Sequence, residues 1–134
     1  MSENSVTIVK GETGSGKSTR VPYFILEQHA REHRHCNIIC TLPRRIAVTS
    51  VSKYVCDSHG WRVGTLVGYQ IAMDKNVSDD TRLTYVTTGV LLQKLIGMKN
   101  MNQYTHVVLD EVSGNLVCCV CVCVCVCVCE CGCL

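Results

Sequence analysis

The stretch Gly11-Glu12-Thr13-Gly14-Ser15-Gly16-Lys17-Ser18 decides how this chain is read. It fits the pattern G-x-x-x-x-G-K-[ST], and both flanks supply the context that the pattern needs. Before it, SVTIVK (5–10) is rich in β-branched residues and ends at Gly11, as a strand entering a tight turn does. After it, KSTRVPYFILEQHAREH places Val21, Ile25, Leu26 and Ala30 at helical spacing. Pro22 falls within the first two turns of that helix, where its missing donor is expected to cost little. Glycines in such a loop permit positive φ and turn successive backbone N–H groups into a concave nest, to which the helix N-terminus adds partial positive charge. A full charge from Lys17 near β- and γ-phosphates completes a site for a nucleoside triphosphate. Gly11, Glu12, Thr13, Gly14, Ser15, Gly16, Lys17, Ser18 and Thr19 are therefore the candidate nucleotide-binding residues. The Ser18 hydroxyl suits the shell of Mg²⁺, an ion that takes few protein ligands.

A second acidic element belongs with this loop. THVVLDE (105–111) is an apolar strand closing on Asp110 and Glu111. A carboxylate at such a strand end can hold the Mg²⁺ shell, and its neighbour can orient and deprotonate an attacking water. Asp110, with Ser18, is the expected metal-binding pair, and Glu111, Asp110 and Lys17 are the expected catalytic residues.

Between the two sites short apolar runs alternate with amphipathic ones. CNIICTL (36–42), VGTLVGYQI (63–71) and TRLTYVTT (81–88) read as strands; RIAVTSVSKYVCDSHG, stopped at Gly60, and GVLLQKLIGMKNM read as helices. That alternation argues for an α/β fold with a largely parallel sheet flanked by helices. At 134 residues the chain is one domain's length. A net charge of +2 permits a polyanionic partner without indicating one. No stretch of the body approaches the ~20 apolar residues of a bilayer span, and the N-terminus carries no signal-peptide pattern, so a reducing, cytoplasmic setting without a membrane partner is expected.

Thr41-Leu42-Pro43-Arg44-Arg45-Ile46-Ala47, Val67-Gly68-Tyr69-Gln70-Ile71 and Thr87-Thr88-Gly89-Val90-Leu91-Leu92 stand in order between the loop and Leu109-Asp110-Glu111-Val112. Together they resemble the first, RecA-like motor domain of DEAH-box RNA helicases, over roughly residues 5–112. TRLTYVTTGVLLQKL and the triplet Asp110-Glu111-Val112 look most like the Tudor-domain-containing, spindle-E type branch. The resemblance implies a P-loop NTPase that uses ATP and Mg²⁺ to translocate on or remodel single-stranded RNA. Arg44, Arg45, Thr87, Thr88 and Gly89 would be the RNA-binding residues, gripping phosphates along one strand without reading bases. It further implies a second motor domain, Tudor-linked methylarginine partners and a germline granule location in the piRNA pathway. The family often stacks adenine on an arginine of the helix after the TLPRR segment; Lys53 and Tyr54 stand here, and either can stack.

The chain also departs from that family. Ser113 stands where the family has His, and the Ser-Ala-Thr motif and second motor domain are missing, so the domain is incomplete and turnover by this chain alone is not expected. ATP binding without turnover is thus the alternative reading. In this class the Ser-Ala-Thr strand lies between those ending at the Lys17 loop and at Asp110, so its loss leaves a gap in mid-sheet.

Residues 113–134 are a separate problem. Nine of the twelve cysteines fall in 118–134, in the run VCCVCVCVCVCVCECGCL (117–134). Alternation of period two suits a strand, which would pair beside the Asp110 strand, and a row of thiols could take soft metals, making a cysteine-rich metal-binding protein a further alternative. Metal clusters need ligands that converge by turns, however, and a straight strand presents them in a line. His33, His35, Cys36 and Cys40 likewise lack a second pair at zinc-finger spacing. A repeat of UG translates as Cys-Val-Cys-Val, and GAG GUA AGU reads Glu-Val-Ser with an intron's usual start. Residues 1–112 are accordingly read as the partial helicase domain and 113–134 as translated intron. Genomic sequence is expected to show a GU donor directly after the Glu111 codon; its absence, or full-length transcripts that all keep the tail, would contradict that boundary.

Overall fold

The computed structural model describes residues 6–11, 16–98, 103–110 and 125–130. Among these the elements run β1 (Val6–Gly11), α1 (Lys17–Arg31), β2 (Ile38–Leu42), α2 (Arg45–His59), β3 (Val67–Ile71), β4 (Asp74–Asn76), β5 (Leu83–Thr87), α3 (Thr88–Met98), β6 (His106–Asp110) and β7 (Cys125–Glu130). The strands form one sheet in the order β1-β7-β6-β2-β5-β3-β4. Every neighbouring pair is parallel except β3 and β4.

β2 is the spine of this sheet. All five of its residues are buried, as expected of a strand flanked on both edges and covered on both faces. Successive side chains of a strand point to opposite faces, and the two cores follow that alternation. Ile38, Cys40 and Leu42 join Leu83, Tyr85 and Val108 beneath Ile25 and Leu26 of α1 and Val48 and Val55 of α2. Ile39 joins Val86, Val107 and Leu109 beneath Val90 and Leu91 of α3. Cys36, Cys40 and Cys56 are buried and pack as small apolar residues in the first of these cores. Gly60 ends α2 in the left-handed region at φ 70°, with the N–H of Trp61 donating to Cys56 O at 2.8 Å.

Strand β4 was not expected from the sequence. Asp74-Lys75-Asn76 has no apolar alternation and is wholly exposed, so periodicity gives it no signal. It is held as the antiparallel edge of a hairpin, with Tyr69 donating its hydroxyl to Asp74 Oδ2 at 2.6 Å. β7 lies where the sequence left a gap, parallel to β1 and β6, with Val6 opposite Cys125 and Asp110 opposite Val128. Two strands that would each present an unpaired edge are thereby joined through their backbones. No helix among the described residues is long and apolar enough to cross a membrane.

At the opposite end of β6 from Asp110, His106 is 8% exposed, edge-on to the His29 ring at 5.0 Å and 3.1 Å from Thr105 Oγ1 through Nδ1. Burial, and then the neighbouring His29 and Arg34, lower its pKa from 6.5 to about 4. The native state therefore holds His106 neutral while the unfolded chain protonates it more readily. Its contribution to stability is complete above about pH 6.5 and is lost as pH falls toward about 4. Denaturant midpoints of the native chain should drop more steeply across that window than those of a His106→Gln variant; equal slopes would contradict this.

Candidate functional site

Parallel strands deliver their carboxyl ends to one edge of a sheet, the edge at which α/β proteins bind ligands. Here that edge carries, in spatial order, the Gly11 end of β1, Asp110 at the end of β6, Pro43-Arg44-Arg45 after β2, and Thr87-Thr88-Gly89 after β5. Leu42 and Thr87 are direct partners across β2 and β5, so the arginine pair and the threonine pair leave the sheet side by side. Arg44 and Arg45 are exposed, and neither guanidinium forms an ion pair or hydrogen bond among the described residues.

The N-terminus of α1 has a geometry and charge that suit an anion. Gly16 caps the helix from the left-handed region at φ 81°, and no side chain caps the helix by a hydrogen bond. A Cβ at Gly16 would meet only Arg20 and Thr19 side-chain atoms, none nearer than 3.4 Å, so it is the backbone and not space that requires glycine. Holding an L-residue there costs about 1–2 kcal/mol. No acidic residue stands in the first turn of α1 to compete with an incoming anion. Lys17 and Ser18 open the helix, and Ser18 Oγ donates to Asp110 Oδ2 at 2.5 Å across 92 positions of sequence. That length is typical of a hydroxyl on a carboxylate. A hydroxyl and a carboxylate so close are hard oxygen donors that fit Mg²⁺, whose other positions would go to phosphate oxygens and water.

Ser18 is held from a second side as well. Pro22 is the sixth residue of α1, so its missing N–H falls in the helix interior and leaves the carbonyl of Ser18, four residues earlier, without its helical donor. Tyr85 of β5, fully buried, donates its hydroxyl to Ser18 O at 3.0 Å. Burial, then Cys40 and Cys56, push the Tyr85 phenol well above its ordinary value, so it stays protonated and a donor.

One turn along α1, Thr19, Arg20 and Tyr23 line a cavity of about 310 Å³ that Tyr54 and His59 of α2 close from the other side. Tyr23 stacks on His59 at 4.2 Å, and His59 on Trp61 at 4.8 Å, which fixes that wall. Lys53 lines a different cavity, with Asp57 and Tyr69. The structure thus separates two residues that the sequence left equivalent: Tyr54 faces the helix that begins at Lys17, and Lys53 does not.

With this geometry in place, comparison with known proteins is decisive. The family model described as DEAD/DEAH box helicase matches residues 1–114. This chain belongs to the DEAD/DEAH box helicase family. It is 46% identical over 109 residues to the ATP-dependent RNA helicase TDRD9 of Rattus norvegicus, covering 81% of this chain and 8% of that protein. Two proteins named probable ATP-dependent RNA helicase spindle-E are similar at 49% over 114 residues (Drosophila pseudoobscura pseudoobscura) and 51% over 111 residues (Drosophila grimshawi). These alignments cover 84% and 82% of this chain and 8% of each relative. The chain therefore spans about a twelfth of the length of the helicases it matches.

Of the helicase residues expected from sequence, Gly16, Lys17, Ser18, Thr19 and Asp110 are brought together, while Glu12, Thr13, Gly14, Ser15 and Glu111 lie outside the described residues. Tyr85 was missed. The signal for it was present in Pro22, because a proline inside a helix always leaves one carbonyl to be satisfied by something else.

Proposed function

We propose that the chain is the ATP-binding part of an RNA helicase motor, in which Lys17 and the N-terminus of α1 hold the phosphates while Ser18 and Asp110 hold Mg²⁺. The observation that carries this reading is the 2.5 Å contact of Ser18 with Asp110, which joins the two expected halves of the site. Mg²⁺, when bound, neutralises charge on the β- and γ-phosphates. Lys17 adds a full positive charge beside the first backbone N–H groups of α1, and Asp110 orients the Ser18 hydroxyl. Glu111, next in sequence, would take the proton of the attacking water. The base would lie in the cavity above Tyr54, whose volume is at the low end for small-molecule sites and whose ring offers a stacking face.

RNA would cross the same edge one strand further on. Arg44 and Arg45 supply charge, and the N–H groups opening α3 at Thr88 and Gly89 supply donors, a combination that grips phosphates and not bases. By analogy with the proteins named spindle-E and TDRD9, the complete protein would couple ATP turnover to movement on single-stranded RNA through a second motor domain. Cytoplasmic germline granules and Tudor-linked methylarginine partners belong to the same proposal.

The 134-residue chain alone is expected to bind ATP without RNA-stimulated turnover, because no second motor domain lies within it to complete the catalytic charge around the γ-phosphate. Calorimetry with a non-hydrolysable ATP analogue and Mg²⁺ should show one site. Lys17→Ala should abolish it, and Tyr54→Ala should weaken it by about 1–3 kcal/mol, the range for base stacking on an aromatic ring. Unchanged affinity in Lys17→Ala would overturn the reading.

A further inference from the structure

The Tyr85 hydroxyl reaches from β5 to the nucleotide side of the molecule, and the carbonyl it meets is not an arbitrary one. It belongs to Ser18, whose own hydroxyl bonds Asp110. It is also the carbonyl that Pro22 deprives of a helical donor. Tyr85 lies in mid-sheet, opposite Cys40 of β2 and Tyr69 of β3, and only two residues before Thr87, where the chain turns out toward the expected RNA track. A strand pinned on both sides moves as a rigid piece, so a displacement of Thr87 and Thr88 carries Tyr85 with it. The first turn of α1 would follow, because its carbonyl is held by Tyr85 and its hydroxyl by Asp110.

We infer that Tyr85 is a positioning residue that couples the phosphate-gripping end of β5 to the Mg²⁺-binding residue Ser18, through a carbonyl that Pro22 leaves open for it. This rests on the ATPase reading above. A tyrosine serving only to fill the core would need its hydroxyl satisfied, but satisfaction could come from any carbonyl. The pairing of an interior proline with a tyrosine from the strand that carries Thr87 makes the link specific. It also makes the link separable, since an ordinary residue at position 22 would satisfy Ser18 from within the helix and release β5.

The test uses the 134-residue chain, a non-hydrolysable ATP analogue with Mg²⁺, and a poly(U) oligonucleotide. The quantity read is the ratio of analogue affinities with and without saturating RNA, which measures coupling between the two sites. Tyr85→Phe removes one oxygen atom, and it should weaken the analogue by about five- to tenfold, because the turn carrying Ser18 loses a bond that preorganises it. It should also bring the coupling ratio to about one. Tyr85→Phe combined with Pro22→Ala should recover the affinity, because the second substitution restores a backbone N–H that can reach Ser18 O, and should still show a coupling ratio of about one. Thermal unfolding of both variants confirms that they fold, and the double variant keeps the question answerable if the single one does not. A coupling ratio unchanged in Tyr85→Phe, or restored by Pro22→Ala, would show that Tyr85 merely satisfies the carbonyl and would overturn the inference. Failure of the native chain to bind the analogue would instead overturn the ATPase reading, and failure to bind poly(U) would overturn the RNA track.

Discussion

Strands that run parallel all end at the same edge, and this single constraint organises the chain. Residues as far apart as Ser18 and Asp110 become hydrogen-bonded because β1 and β6 point the same way and are separated by one strand. Leu42 and Thr87 end adjacent strands in register for the same reason, so Arg44 and Thr88 follow side by side. Were one of these strands reversed, its functional residue would lie at the far edge, about five residues or some 17 Å away at the usual rise of a strand. The chemistry at the edge is thus a consequence of topology before it is a consequence of any side chain. Topology in turn rests on β2, whose complete burial anchors the helices of both faces.

On that scaffold, the first turn of α1 is held from three sides. Gly16 enters it in a conformation that an L-residue resists, the Ser18 hydroxyl is turned toward Asp110, and its carbonyl is turned toward Tyr85. A turn held at its entry, its hydroxyl and its carbonyl has little conformational freedom to lose if a phosphate binds there. Preorganised donors of this kind act at their strongest because they need not reorient on binding. The aromatic wall of Tyr23, His59 and Trp61 extends the same rigidity to the cavity beside it.

Much of this was legible in the sequence, for definite reasons. The glycine-rich loop and the Asp110 strand end announce themselves because phosphate binding demands special backbone and charge at fixed spacing. Strands such as IICTL show as continuous apolar runs because both faces are buried. Other features gave no signal of that kind. β4 is three exposed polar residues that become a strand only by pairing with β3. Tyr85 reads as one more β-former, and its role emerges only when β5 is set against α1. Tyr54 and Lys53 are neighbours in sequence, but a helix turns successive residues by about 100°, so only the structure assigns them to separate cavities. Pro22 is the instructive case: a proline inside a helix orphans the carbonyl four residues earlier, and that carbonyl leads directly to Tyr85.

If Ser18 and Asp110 hold Mg²⁺ together, they act as one unit despite the 92 positions between them. A double-mutant cycle of Ser18→Ala and Asp110→Asn, read as the Mg²⁺-dependent affinity for an ATP analogue, tests it most directly. Strong non-additivity is expected, with the second substitution adding little to the first and a coupling of about 1 kcal/mol or more. Losses that simply add would contradict it.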